Sequence, residues 1–181
     1  MKVREILLSD RSKEACLQAV SILSEDVAER VDYVQCLCDD DPFLSARAAR
    51  VLYYITDECP NLLDAHAREL LDRLNTRTCS EAVNRAVLRH WAEYGFSEDI
   101  EGEAYDLGFF FLESHSAIAV KAHAMYVCMR LVRKFPELAQ EFLILMEEVM
   151  AKYADESPGV RARGRKVLKE LHKIISSKER D

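Results

Sequence analysis

The sequence predicts an all-α protein built from stacked helix pairs, and three observations lead to that fold class. Apolar residues recur at steps of three and four, which is the pattern of amphipathic helices. Only 5 Gly and 4 Pro occur among 181 residues, which favours helices with short connections. Related dipeptides also recur at spacings of 38, 36 and 40 residues, close to the period of two-helix repeats: Arg47-Ala48, Arg85-Ala86, Lys121-Ala122 and Arg161-Ala162.

The first half of the chain predicts two helix pairs after a short leading turn at residues 2–8. Residues 12–24 and 25–38 form the first pair, and the second of these helices carries an apolar stripe of Val27, Val31, Val34 and Cys38. Asp41 caps the next helix, which begins at Pro42. That helix buries Phe43, Ala48, Val51, Leu52 and Ile55. Pro60 opens its partner helix, whose stripe is Leu63, Ala67, Leu70 and Leu74.

The second half predicts two more pairs and a terminal helix. Residues 80–94 form a helix that ends at Gly95, and a helix capped by Ser97 follows, with Gly108 inside it. The longest apolar stretch, residues 114–155, gives two helices joined at Lys134-Phe135-Pro136. Pro158 opens the last helix. The chain is therefore expected to form about four helix pairs plus a terminal helix, in a single domain over residues 1–176 with a frayed tail at residues 177–181.

Composition and charge narrow the function classes. Hydrophobic residues make up 49% of the chain and charged residues 31%, as in ordinary soluble domains. The start of the chain is too short in apolar residues for a signal peptide, and no uncharged run is long enough for a membrane span. Six cysteines without an export signal predict reduced thiols and a cytoplasmic protein. The net charge of −7 opposes nucleic-acid binding by the molecule as a whole.

Two helix starts carry a motif that resembles the HEAT repeat family. Asp41-Pro42 precedes Ala46-Arg47-Ala48-Ala49, and Ser157-Pro158 precedes Val160-Arg161-Ala162, which resembles the family's Asp-Pro and Val-Arg-x-Ala pattern. The resemblance implies an armadillo-like, right-handed α-α superhelix, or solenoid, that acts as a protein-protein interaction scaffold. It also implies a structural ladder that includes Asp41 and Arg47. Arg47 and Lys121 lie within the apolar arcs of their helices, where a charge needs a partner, so Lys121 joins the predicted ladder.

Few residues of the sequence are candidates for a metal, ligand or catalytic site. Cysteines 36, 38 and 59 with His66 lack the usual zinc-ligand spacing, and core or boundary thiols are the simpler interpretation. Asp39-Asp40-Asp41 lacks the ligand spacing of a calcium loop and fits a solvated turn. His90-Trp91 fits core packing better than ligand stacking. Phosphate-binding loops and nucleophile elbows are absent from the sequence, so we expect no catalytic residue, metal or cofactor.

One strongly basic surface is expected on the terminal helix. Residues 157–181 carry a net charge of +5 against −12 for the rest of the chain. The candidate partner-binding residues are Arg161, Arg163, Arg165, Lys166 and Lys169. This surface could be the polar face of a capping helix, a site for an acidic protein or weak self-association of an otherwise monomeric chain, or a nucleic-acid site like those of HEAT-like DNA repair proteins. The sequence names no specific protein partner.

Overall fold

The computed structural model describes residues 2–55, 58–76 and 78–178 of the chain. Within these ranges it is 82% helical, with ten α-helices and no β-strand. The helices are α1 Val3–Ser9, α2 Lys13–Glu25, α3 Val27–Leu37, α4 Pro42–Ile55, α5 Ala67–Asn75, α6 Glu81–Tyr94, α7 Glu101–Glu113, α8 Ile118–Lys134, α9 Ala139–Tyr153 and α10 Pro158–Lys178. Short 3₁₀ turns precede α5, α7 and α9. The predicted all-α helical-repeat fold class is confirmed.

The chain divides into two compact units, residues 1–100 and 101–181. In the first unit, α4 lies between α2 and α6 and contacts both, while α1 and α3 pack against this layer. In the second unit, α8 packs against α7 and α10, and α10 also packs on α9. The single-domain boundary stays a prediction. Of the expected tail, residues 177 and 178 still belong to α10, and residues 179–181 lie outside the described part.

Side-chain and glycine caps close several of the helix ends. The Ser12 hydroxyl accepts a hydrogen bond from the Ala15 amide at 3.0 Å, and Ser80 caps α6 in the same way. Such caps satisfy amides that have no partner within the helix. Gly95 ends α6 with a φ of 97°, which a side chain would disfavour. None of the helices in the described ranges is both long and apolar enough to span a bilayer.

Three apolar assignments from the sequence are wrong, two in α3 and one in α4. Val27 and Val31 are 68% and 44% exposed, and Phe43 is 75% exposed. In α3 the buried stripe instead contains Tyr33, whose hydroxyl donates a hydrogen bond of 2.8 Å to the carbonyl of Ala48 on α4. A buried phenol needs such a partner, so this contact fixes which face of α3 is turned inward.

The predicted start of the fifth helix is also wrong. Pro60 lies in an irregular connection, and α5 begins only at Ala67 after a 3₁₀ turn at Asp64–His66. The amides of Glu58 and Cys59 donate to the carbonyl of Ile55 and close the end of α4. Leu62 and Leu63 are then buried within the connection itself. Their apolar character therefore reflects a packed turn rather than a helical stripe.

Gly108 allows α7 and α8 to approach each other closely. A Cβ atom at this position would overlap the Sγ atom of Cys128 on α8. Both residues are buried. A glycine inside a helix costs about 1 kcal/mol relative to alanine. Here that cost is offset by the tight packing of two helices.

His90 on α6 supplies a prediction for pH dependence. The side chain is 1% exposed, and burial lowers its pKa to about 4, although the carbonyl of Pro60 weakly favours the charged form. In the unfolded chain the imidazole has a pKa of about 6.5. The unfolded state therefore binds more protons than the folded state between these values. The free energy of unfolding is therefore highest above the unfolded pKa. It falls by about 3 kcal/mol as the pH drops from the unfolded pKa to below the folded pKa.

The measurement is chemical denaturation of the parent and of His90→Leu between about pH 7 and pH 4.5. We expect the parent to lose more free energy of unfolding over this range than the variant. His172→Gln, a substitution of an exposed histidine on α10, controls for the removal of an imidazole outside the core. Parallel curves for the parent and His90→Leu would contradict the buried neutral imidazole.

Candidate functional site

Three basic side chains close the turns between consecutive helices. Each donates a hydrogen bond to a carbonyl seven residues earlier, at the end of the preceding helix: Arg30 to Leu23, Lys121 to Ser114 and Arg161 to Ala154. The last carbonyls of a helix have no partner within it, and a positive charge there is favoured by the helix dipole. We call these residues the turn-capping cations.

Lys121 is the most buried of the turn-capping cations, at 1% exposure. Besides Ser114, its Nζ atom donates to the carbonyls of Phe111 at 3.0 Å and Leu112 at 2.7 Å. It also lies 4.8 Å from the centre of the Tyr153 ring on α9. The charge is therefore surrounded by carbonyl dipoles and an aromatic face, which lowers the penalty of removing it from water.

The other two predicted ladder residues lie apart from each other. Arg47 Nη1 donates to the carbonyls of Leu7 and Leu8 at the end of α1, at 2.7 and 3.0 Å. Asp41 accepts a hydrogen bond of 2.9 Å from the Phe43 amide and thus caps α4. The structure brings Arg47 to a helix end and does not bring it to Asp41. The ladder role of Asp41, Arg47 and Lys121 stays a prediction.

A different cross-link between helices was missed by sequence reasoning. Asp39 accepts a hydrogen bond of 2.7 Å from Arg4 Nη2 on α1, and Asp40 accepts one of 2.6 Å from Arg73 Nη2 on α5. The amide of Asp41 and then the Arg4 guanidinium lower the pKa of Asp39. The acidic run after α3 thus ties α1 and α5 to the same turn. The three consecutive acidic residues are apparent in the sequence. Their partners are not, because Arg4 and Arg73 lie more than 30 positions away.

The cysteines considered for metal binding are free thiols in a packed environment. Cys36 is buried, with Arg4 Nη1 3.9 Å from its sulfur atom. Burial raises the pKa of Cys36 and Cys79, and it raises the pKa of Cys38 to about 12. Within the described ranges, no group of three or more His, Cys, Asp or Glu side chains is placed to hold a metal ion.

The first unit carries a groove across α4 and α6, which we call the basic groove. Its volume is about 360 Å³, and its floor is made of small residues, Ala46, Ala49 and Ala82. Arg50 and Arg85 line it together with Tyr53. On each helix these positions follow three- and four-residue steps, so they share one face. A smaller groove of about 200 Å³ adjoins it, lined by residues that include Arg11, Phe43, Arg47 and Arg50.

The arginines of the basic groove are positioned by neutral groups. Arg50 Nη1 donates to the carbonyl of Arg11 at 2.8 Å. The Cζ atoms of Arg85 and Arg89 lie 5.7 and 4.8 Å from the centre of the Tyr53 ring. Arg89 also pairs with Glu93 at 3.0 Å. Among the described residues, neither Arg50 nor Arg85 forms an ion pair with a carboxylate, so both charges face the groove without compensation.

A family comparison agrees with this architecture. A model of the HEAT repeat domain matches residues 3–171. The chain belongs to the HEAT repeat family. HEAT repeat domains typically mediate protein interactions and are generally non-catalytic. No curated protein and no solved structure matches the chain.

The five basic residues predicted as a partner site on this HEAT repeat chain are not equivalent. Arg161 Nε donates to the carbonyl of Ala154 at 2.8 Å as a turn-capping cation, and Arg163 Cζ lies 6.0 Å from the Tyr126 ring centre. Arg165, Lys166 and Lys169 are exposed on α10. Three of the five are therefore directed mainly to solvent, and their role as a binding site stays a prediction.

Substitution of the predicted ladder residues tests their structural role. Lys121→Ala leaves helix-end carbonyls buried without a donor and should lower the free energy of unfolding by about 3 to 5 kcal/mol. Arg47 is only half-buried, so Arg47→Ala should cost about 1 to 2 kcal/mol. Lys166→Ala on the exposed face of α10 is the control and should change stability by less than about 0.5 kcal/mol. The ladder role is wrong if both variants unfold like the parent in urea.

Proposed function

We propose that this HEAT repeat chain is a non-catalytic interaction scaffold, and that its basic groove binds an acidic segment of another protein. The observation that carries the proposal is the pair of arginines, Arg50 and Arg85, which line one groove without carboxylate partners in the described structure. Guanidinium groups bind carboxylates with two parallel hydrogen bonds, which gives both strength and orientation.

The shape of the groove supports a polypeptide ligand. Alanines at the floor allow a backbone to approach α4 and α6 closely. Phe43, exposed over three quarters of its surface, lies at the adjoining groove and offers an apolar contact beside the charges. An acidic segment that carries an apolar side chain would match both features. Acidic side chains supply the specificity, and burial of the aromatic ring adds affinity.

The remaining parts of the proposal concern catalysis and setting. Groups that elsewhere perform acid-base or nucleophilic chemistry are committed here to packing or ion pairs: Asp39 and Asp40 bind arginines, and burial holds the pKa of Cys128 far above its usual range. This supports a chain that acts without a cofactor. The six free cysteines support a reducing, cytoplasmic setting for a monomer or weakly self-associating protein.

Charge reversal tests the basic groove. The probe is a fluorescein-labelled peptide that contains several Glu and Asp residues around one Leu, titrated into the purified chain and followed by anisotropy. Arg50→Glu with Arg85→Glu should weaken binding by at least about tenfold, because each loses attraction and adds repulsion. The matched variant, Lys166→Glu with Lys169→Glu, has the same net charge but leaves the groove intact.

The two double variants separate the candidate surfaces. Binding that survives only in the α10 variant supports the basic groove. Binding that survives only in the Arg50→Glu and Arg85→Glu variant assigns the acidic partner to the basic terminal helix instead. No saturable binding by the parent, with melting curves that show all three proteins folded, contradicts the proposal altogether.

Nucleic-acid binding is the second candidate, because the basic groove combines arginines with an aromatic ring. Its tyrosine ring is already covered by Arg85 and Arg89, which disfavours base stacking. The net charge of −7 also repels a polyanion. We therefore expect dissociation constants for generic duplex DNA no better than about 10⁻⁴ M at physiological salt.

Titration of labelled duplex and single-stranded DNA at two salt concentrations checks this expectation. Micromolar binding that weakens steeply with salt would overturn it. Loss of that binding in the Arg50→Glu and Arg85→Glu variant or in the α10 variant would then show which arginines and lysines contact phosphates. Arg161 is left unchanged in these experiments, because it caps the turn before α10.

A further inference from the structure

The second unit contains a groove of opposite chemistry, which we call the acidic-aromatic groove. It has a volume of about 480 Å³ and runs along one face of α7, where the lining positions are 101, 102, 105, 106, 109, 110 and 113. The opposite wall is formed by the ends of α8 and α9 and the turn between them, with Phe135 and Leu138. It is distinct from the basic groove and shares no lining residue with it.

The floor of the acidic-aromatic groove is a packed set of aromatic rings. The rings of Tyr105 and Phe109 pack in a tilted arrangement with centres 4.7 Å apart, and the Phe109 ring centre lies 5.9 Å from that of Phe142. Tyr105 is 7% exposed, whereas Phe109, Phe110 and Phe135 are half-buried. The exposed ring edges offer apolar contact to a ligand, and the buried partners hold them in place. A rigid aromatic floor of this kind suits apolar anchor side chains.

Carboxylates surround this floor. Glu101 is held at one end by Lys134, whose Nζ atom lies 2.9 Å from Oε1. Asp106, Glu113 and Glu141 are exposed, and none of these three forms an ion pair with a side chain in the described ranges. The rim therefore presents three uncompensated negative charges around an apolar centre.

The spacing of the charges indicates the kind of ligand. The face of α7 from Glu101 to Glu113 is about 18 Å long, and its rim carboxylates are separated by about 7 to 10 Å along the axis. Those separations are too large for one small cation and match basic residues about five to seven positions apart on a helix, or roughly one and a half to two turns. An amphipathic helix places apolar residues at i, i+3, i+4 and i+7 toward a groove, with charged residues at its flanks.

We propose that the acidic-aromatic groove is a docking site for a cationic amphipathic helix of a partner protein. Leucine-like anchors would cover Phe109 and Phe110, and flanking Lys or Arg residues would pair with Asp106, Glu113 and Glu141. Charge complementarity selects this occupant over an acidic or neutral helix, because burial of an unmatched carboxylate rim beside apolar rings is unfavourable.

The test uses the full chain and a fluorescein-labelled helical peptide with a Leu stripe flanked by Lys and Arg. A scrambled peptide of the same composition lacks the stripe. The groove variant is Asp106→Lys with Glu141→Lys, and its matched control is Glu147→Lys with Glu148→Lys, two exposed carboxylates of α9 that do not line the groove. All substituted residues are exposed, and thermal melting verifies folding.

We expect saturable binding of the striped peptide by the parent, a loss of about tenfold or more in the groove variant, and less than about twofold change in the control. Equal binding of the scrambled peptide, equal loss in both variants, or no saturation by the parent up to about 1 mM peptide would overturn the proposal. Binding of the acidic peptide, measured in the same proteins, should be unaffected by the groove variant, so the two proposals fail independently.

A second copy of this chain is the remaining occupant of the acidic-aromatic groove to be distinguished. Sedimentation of the parent over a range of concentrations measures it directly. Concentration-dependent association that disappears in the groove variant but persists in the control variant would assign the groove to a second copy of this chain and overturn the proposal. A monomer that binds the striped peptide supports it.

Discussion

The capping of helix ends by cations from the following helix is the interaction on which the pairing of these helices depends. Asp26 alone separates α2 from α3, and its amide donates to the carbonyl of Ile22, so the later carbonyls of α2 need other donors. Arg30 supplies them from the first turn of α3, and Lys121 and Arg161 do the same for α7 and α9. Because each cation contacts backbone atoms of one helix and belongs to the next, it fixes the path of the turn as well as neutralising the helix end. The surfaces that paired helices form therefore depend on this capping of the turns.

Local signals in the sequence were sufficient for most helices but not for their rotation. Asp41, Pro42 and Gly95 act within a few residues of their own positions, so their effects could be predicted. The inward face of α3 could not, because that helix has apolar residues on more than one side. Its orientation is decided by the hydrogen bond between the Tyr33 hydroxyl and a carbonyl of α4, which depends on a neighbouring helix. The predicted start of α5 was wrong for a similar reason, because the leucines of a packed connection resemble those of a helical stripe in the sequence.

For the candidate sites, too, clusters of neighbouring residues are apparent in the sequence, whereas residues that only the fold brings together are not. A cluster such as Arg161, Arg163 and Arg165 is conspicuous in a linear sequence, yet the structure assigns one of these residues to a turn and stacks another on Tyr126. Arg50 and Arg85 are 35 positions apart and do not form a cluster in the linear sequence, although stacked helices bring them to one groove. The repeat period was the available signal. Residues separated by about one period occupy equivalent positions on neighbouring helices, so the period relates surfaces as well as cores.

The two grooves also explain how a chain with a net charge of −7 can present both signs to partners. Charge acts locally, because exposed charges separated by more than about 8 Å are largely screened at physiological salt. In the basic groove, arginines are held by carbonyls and a tyrosine ring, so their charge is positioned without being neutralised. In the acidic-aromatic groove, Lys134 neutralises one end, and the carboxylates farther along remain exposed. Each groove thus combines an apolar surface with charge of one sign, and a ligand must match both properties to be bound.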